Sequence, residues 1–293
     1  MISSLSTHWH YIWLVVASFI AGVMNAMAGG GSFVSFPAML SIGVAPIQAN
    51  ATNTVALWPG QLTSVAALRD DLRRDLLPVV CTASIAGGVS GAVVLLNTRQ
   101  ITFMHLVPWL LLIAASIFAA SGPMSRWLAR RRLAETGMES RTETSAGAAK
   151  KTESTQDPWP NPDGDEKQVA SAGRGARLMP VFVATILVCF YVGYFGAGAG
   201  FLIITVLSLF GFKDLNEINA LKVVSTTMAN GMAFIIFVVD GQVVWRYCLL
   251  AMATCAVGGY TSARFARMVP QTVLRGTVIV IGFGMAVWFF WKG

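Results

Sequence analysis

Ala28-Gly29-Gly30-Gly31-Ser32-Phe33, followed closely by Asn50-Ala51-Thr52-Asn53, returns later as Gly196-Ala197-Gly198-Ala199-Gly200-Phe201 and Asn219-Ala220-Leu221-Lys222. Phe33 and Phe201 stand 168 positions apart, and Asn50 and Asn219 stand 169 apart. Both copies are set in strongly apolar sequence, where glycine-rich backbone and bare amides are costly. A duplicated polar break inside membrane-type sequence points to a solute site between two related halves.

The surrounding composition sets the class. Residues 1–68 contain no Lys, Arg, Asp or Glu, and only 12% of the chain is charged, against about 25% in a soluble domain. Apolar runs of roughly 20 residues, the length that crosses a bilayer core, recur along the chain. These predict spanning helices at 11–28, 47–68, 76–96, 103–121, 179–195, 218–239, 243–263 and 272–291. Two shorter apolar pieces, 32–42 and 201–210, each follow a glycine cluster. The expected fold is an all-α polytopic membrane protein with eight full spans and two short re-entrant helices.

Other features narrow this reading by exclusion. The first apolar stretch lacks a positive n-region and is followed by more membrane sequence, so it is not an ordinary cleavable signal. The net charge of +7 comes mostly from loop arginines and is a topology signal, with no nucleic-acid partner implied. Cys81, Cys189, Cys248 and Cys255 fall within predicted helices without metal-type spacing and read as small core residues. His8, His10 and His105 read as interfacial. No His-Glu-x-x-His zinc helix and no Gly-x-Ser-x-Gly elbow occurs, so an enzyme is disfavoured and no cofactor or metal is expected. The Gly-x-Gly-x-Gly of 196–200 is no dinucleotide fingerprint, because a membrane helix and not a strand precedes it. Trp9, Tyr11 and Trp13, and Trp288 and Trp291 with Lys292, suit the aromatic belts of a lipid bilayer.

Residues 122–178 hold about half of all charged residues and are rich in Ser, Thr, Gly, Pro and Ala. Such sequence cannot bury enough apolar area to offset its ordering entropy. It reads as a flexible linker between a first membrane repeat, 1–121, and a second, 179–293. Arginines orient the whole, since cytoplasmic loops are enriched in them. Arg69, Arg73 and Arg74 mark one cytoplasmic loop, and Arg126 and Arg130–Arg132 put the start of the linker on the same side. In the second half Arg264, Arg267 and Arg275 mark a different turn, while Arg99 and Arg246 stand alone in turns read as outward. The two halves then enter the membrane from opposite faces, provided each glycine break turns the chain back as a hairpin. Eleven residues, 32–42, reach only about 16 Å and cannot span about 30 Å of hydrocarbon. The expectation is an inverted repeat, each half one broken hairpin plus three spans, with both termini outside and the linker cytoplasmic. Small residues aligned at an offset of 171, Ala86–Gly91 with Val257–Ser262, suit close packing of membrane helices.

The breaks also suggest chemistry. Each opens a short helix whose first amides lack intrahelical partners and whose dipole is positive there. Two such ends meeting at mid-membrane favour an anion without many charged side chains. The plain alternative is glycine for tight packing. Asn50 and Asn53 lie three apart on one helical face, and Asn219 and Lys222 repeat that spacing with a charge in place of the second amide. An intramembrane lysine is a functional-site hypothesis by default; the competing reading is that it snorkels to the interface. Gly30, Gly31, Ser32, Asn50, Asn53, Gly198, Gly200, Asn219 and Lys222 are therefore the candidate substrate-binding residues. Asn25, Thr52, Gln61, Thr226, Thr227 and Asn230 offer further hydrogen bonds but individually suit capping or bracing.

Taken together, the paired motifs resemble the sulfite exporter TauE/SafE family over roughly residues 10–121 and 179–291. The resemblance implies a bacterial inner-membrane carrier that exports a small sulfur-containing anion, sulfite or an organosulfonate, by alternating access. Its partners would be a small inorganic or organic anion and the lipid bilayer, with a homodimer allowed. Asp214, Glu217 and Asp240 sit near helix ends, so a coupling carboxylate is hard to find. The alternatives are a receptor or assembly component that binds without translocating, and a passive anion channel.

Overall fold

The structure is a computed structural model, and it describes residues 2–27, 30–68, 72, 75–116, 119, 165–210, 212, 215–265 and 271–292. The described residues form helices and no strands: α1 (Ile2–Met27), α2 (Ser32–Ser41), α3 (Pro46–Ala67), α4 (Leu77–Asn97), α5 (Gln100–Ser116), α6 (Asp165–Tyr194), α7 (Ala199–Leu209), α8 (Leu215–Val239), α9 (Trp245–Phe265) and α10 (Gln271–Lys292). Most bounds fall within a few residues of the expected ones. The exceptions are α1 and α6, which begin earlier than their apolar runs. Part of the segment read as linker, 165–178, is the polar first half of α6. The rest of that segment lies outside the described residues, as do Arg69, Arg73, Arg74, Arg126, Arg130–Arg132 and Arg267, from which the orientation was read.

Local chemistry explains the helix limits. Pro46 and Pro78 sit in the first turns of α3 and α4, where a missing N–H costs nothing. Gly43 and Gly241, with φ of 87° and 71°, turn the chain between α2 and α3 and between α8 and α9. Two helices, Leu77–Asn97 and Glu217–Val239, are long and apolar enough by composition alone to cross a membrane. Trp9–Asn25, Gln100–Ser116, Met179–Tyr194 and Ile279–Trp291 are apolar but shorter within the described residues, and polar side chains dilute two helices. In α3 these are Gln48, Asn50, Thr52, Asn53, Thr54 and Gln61; in α6 they are the charges of its first turns.

The outer surface is apolar. Leu187, Tyr260, Val280 and Val287 are each at least 65% exposed, which an aqueous surface does not sustain in such density. Of the exposed tryptophans, Trp9 and Trp13 lie in the first half of α1, Trp245 at the start of α9, Trp288 and Trp291 near the end of α10, and Trp109 midway along α5. The inside contains a contiguous aromatic and aliphatic core with Phe33, Phe36, Phe103 and Phe237 fully enclosed. Cys189 and Cys248 are buried and none of the four cysteines is bridged.

Hydrogen bonds and close contacts fix which ends lie together. Ile47 N donates to Gln100 Oε1 at 3.0 Å, and Val244 N donates to Thr52 Oγ1 at 3.0 Å. The turns before α3, before α5 and before α9 are thus gathered at one end of the bundle. Trp13 Nε1 donates to Ser41 Oγ at 3.0 Å while Gly31 packs against Ala21 and Asn25, so α1 and α2 form an antiparallel hairpin that starts and finishes at that end. On α4, Gly87 meets Ile186 and Gly91 meets Phe190, contacts that climb in step, so α4 and α6 run parallel. Glycine is required on this seam because a methyl at Gly91 would run into the Phe190 carbonyl. Lipid offers no hydrophobic force between helices, so this close backbone approach is what holds them.

Candidate functional site

The two breaks are built differently. Gly31, ahead of α2, has helical angles (φ −56°, ψ −35°), so it is not there for unusual dihedrals. It is there for space, since a side chain would strike the Ala21 carbonyl of α1. Gly196 and Gly198, between α6 and α7, have φ of 76° and 71°, a left-handed backbone that an L side chain resists. Tyr191, one turn back, pins this second break by donating its hydroxyl to the Ala197 carbonyl at 2.8 Å. Glycine thus supplies dihedral freedom at the second break, while Gly31 of the first serves close packing.

The breaks touch. A methyl on Gly198 would lie 3.6 Å from Phe33 Cζ, at the start of α2. Phe36 and Phe195 meet edge to face at 5.4 Å, and Phe103 joins them at 6.4 and 6.2 Å. Phe33, Phe36, Phe103 and Phe195 are all buried. An aromatic plug therefore fills the junction that sequence reasoning reserved for polar groups. Its advance signs were Phe33 and Phe36 at the start of α2 and Phe195 just before the second break, whereas Phe103 on α5 gave none.

The amides lie around this plug. Asn50, 2% exposed, donates its Nδ2 to the Tyr194 carbonyl at 3.0 Å, so an amide of the first half caps the helix that ends at the second break. Asn53, equally buried, meets the Ser35 hydroxyl through Oδ1, and the same hydroxyl lies 3.1 Å from the Gly31 carbonyl. Asn53 is thereby tied to the first turn of α2. Within α2 the N–H groups of Phe33, Val34 and Ser35 are already engaged by the Gly30 and Gly31 carbonyls. Gly30 is buried and Ser32 half-buried.

The second half repeats the placement with other chemistry. Lys222 of α8 is half-buried and lays its stem on Gly200, with Cδ 3.4 Å from where a side chain would begin. Asn53 and Lys222, 169 positions apart, each contact the first turn of a short helix, Asn53 at Ser35 of α2 and Lys222 at Gly200 of α7. Asn219 is half-buried one turn earlier. Thr52 is used to hold the Val244 turn. Gln61 and Asn230 bond each other, Asn230 Nδ2 donating to Gln61 Oε1 at 3.1 Å, and a side chain at Gly196 would lie 3.8 Å from Asn230 Oδ1. Trp58, which sequence reasoning missed, donates Nε1 to the Thr227 carbonyl at 3.0 Å and packs on Gly231 and Phe234. Of the acidic residues weighed for coupling, Glu217 lies in the first turn of α8, Asp240 is exposed and accepts from Gln242, and Asp214 lies outside the described residues.

An apolar shell, a core of glycine-packed helices and polar breaks buried within them define a polytopic helical membrane protein. Comparison with known proteins gives the same class. A family model described as sulfite exporter TauE/SafE matches residues 14–289, and the chain belongs to that family. It is 26% identical over 281 residues to a Sinorhizobium protein named "Probable membrane transporter protein ORF9", covering 94% of this chain and 90% of that one. A Haemophilus influenzae "Probable membrane transporter protein" is 24% identical, covering 93% and 91%. "Probable membrane transporter protein YfcA" of Escherichia coli is 21% identical, covering 92% and 85%. No solved structure matches the chain.

Proposed function

We propose that the protein exports a small sulfur-containing anion, sulfite or an organosulfonate, across the bacterial inner membrane by alternating access of two inverted halves. The observation that carries this reading is the meeting of the two breaks, with the short helix after each contacted by the corresponding residue of the next helix, Asn53 on Ser35 of α2 and Lys222 on Gly200 of α7. The two-half arrangement draws support from the packing. Exchanging α1 with α6, α2 with α7, α3 with α8 and α4 with α9 turns the α4–α6 contact into α9–α1, α4–α8 into α9–α3, α1–α2 into α6–α7, and α2–α3 into α7–α8, and all of these pairs pack. The bonds Trp58–Thr227 and Gln61–Asn230 both join residues 169 apart, the offset of Asn50 and Asn219, as expected where a pseudo-two-fold axis passes between α3 and α8. The hairpin of α1 opens at the end opposite to the start of α6, which fits inversion.

In this reading backbone amides near Gly30, Gly31, Gly198 and Gly200 and the side chains of Ser32, Asn50, Asn53 and Asn219 hold the anion, with Lys222 supplying charge. An interior-negative potential drives an anion outward by about 2.3 kcal/mol per charge per 100 mV, so export needs no coupled ion. The linker and its flanking loops lie in the cytoplasm and both termini outside. The test is sulfite counterflow in proteoliposomes with wild type and Lys222→Met, which keeps the stem on Gly200 and removes the charge. Saturable counterflow in wild type, with half-saturation raised about tenfold or more in the variant, supports the reading. Absence of counterflow in wild type, or flux that never saturates, contradicts it in favour of a receptor or a channel. Unchanged half-saturation in Lys222→Met removes Lys222 from the site.

A further inference from the structure

Among the described residues two buried side-chain oxygens have no hydrogen-bond partner, Ser18 Oγ and Thr227 Oγ1. Ser18 has only apolar residues a turn away on α1, namely Leu14, Val15, Ala21 and Gly22. Thr227 is different: it lies three residues before Asn230 and four before Gly231, on the α8 face that crosses α3. It is 1% exposed. A hydroxyl buried in a helix ordinarily donates to the carbonyl three or four residues back. The buried Ser84 and Ser225 do so here, as do the less buried Ser90, Thr226, Thr254 and Thr261. Thr227 does not, and the Val223 carbonyl it would use is in reach of Thr226 Oγ1 at 3.1 Å instead. Leaving such a donor unmet inside a membrane protein is costly. Close by are the Gln61 and Asn230 amides and the left-handed Gly196 beside Asn230.

We propose that Thr227 is a substrate-contacting residue: its hydroxyl donates to one oxygen of a small oxyanion at the crossing of α3 and α8, alongside the Gln61–Asn230 amide pair. This assignment rests on the transport reading above and adds to it a contact point on the pseudo-two-fold axis, apart from the glycine breaks and Lys222. A hydroxyl at this position selects for an acceptor oxygen. The amide pair, which offers both donors and acceptors, tolerates whichever remaining oxygens the anion carries, protonated or not.

The experiment compares wild type, Thr227→Val and Thr227→Ser in proteoliposomes with sulfite as the probe, together with melting of each purified protein. Valine keeps the shape and removes the hydroxyl; serine keeps the hydroxyl. The expected result is a half-saturation raised roughly tenfold in Thr227→Val and near wild type in Thr227→Ser, with a Thr227→Val melting temperature unchanged or raised by about 2–4 °C. Wild-type half-saturation in Thr227→Val overturns the proposal while leaving the transport reading intact. A lowered melting temperature in Thr227→Val also overturns it, by showing that the hydroxyl holds the fold. If wild type carries no sulfite, thiosulfate or methanesulfonate, the transport reading fails first and this assignment falls with it.

Discussion

Replacing Gly198 by alanine isolates what the second break does. Its φ of 71° lies in the left-handed region, which costs a non-glycine residue about 1–2 kcal/mol. Gly241 has the same φ of 71°, yet nothing lies within 4 Å of where its side chain would start. Gly241→Ala therefore incurs the dihedral cost alone, which for a protein of this size lowers the melting temperature by about 2–8 °C. A methyl at Gly198 meets more: Ala114 Cβ at 3.3 Å, the Ala114 carbonyl at 3.5 Å and Phe33 Cζ at 3.6 Å. Ala114 Cβ cannot swing aside, so α5 or the start of α7 must shift by a few tenths of an ångström, and the Phe33 side of the plug shifts with it. The expectation is a melting loss at least as large as that of Gly241→Ala, accompanied by loss of most sulfite counterflow, whereas Gly241→Ala keeps wild-type counterflow. Tryptophan-fluorescence melting in detergent and proteoliposome counterflow on the same preparations provide the comparison. Equal melting losses with full counterflow in both variants would refute the idea that the break's conformation belongs to the site.

Further outcomes follow from the same contacts. Asn50→Leu removes the donor to the Tyr194 carbonyl and leaves a buried helix-end acceptor unmet, costing about 1–3 kcal/mol; a melting temperature equal to wild type would show that the cap is dispensable. Gly91→Val drives a side chain into the Phe190 carbonyl and should force α4 from α6, so that monodisperse protein no longer accumulates. Gly60→Ala, in the same kind of helix but with nothing within 4 Å, should be neutral or stabilising by up to about 1 kcal/mol. Size-exclusion chromatography of the two in parallel gives the answer, and a well-behaved Gly91→Val protein would count against the glycine seam.

Much of this architecture was legible because the membrane leaves few options. A break at Gly29–Gly31 or Gly196–Gly200 has to be buried, and a run of roughly 20 apolar residues has to be a helix. The duplication likewise followed from residue identity, and it singled out Lys222 as the counterpart of Asn53, while the packing of Lys222 on Gly200 came only with the structure. What the sequence could not convey was which physical demand each glycine answers. Gly31 and Gly198 look alike as letters, yet one avoids a neighbouring carbonyl and the other adopts a left-handed backbone. Nor could it convey that Asn50 spans the two halves to cap α6, because that partner lies 144 residues away. The plug of Phe33, Phe36, Phe103 and Phe195 was hidden for a related reason, since phenylalanine in apolar sequence reads equally as lipid-facing or core. The start of α6 was placed too late because apolarity marks where a helix enters lipid and is silent about its polar continuation.

The most direct measurement is efflux of preloaded sulfite from proteoliposomes under an imposed potential, with the interior negative or at zero and the pH equal on both sides. The account predicts saturable efflux that is faster when the interior is negative, together with loss of that efflux in Gly198→Ala and weakened sulfite affinity in Lys222→Met. Efflux that ignores the potential and follows an imposed proton gradient would contradict uncoupled anion export. Vesicles that retain their sulfite whatever the gradient would contradict the transporter reading itself.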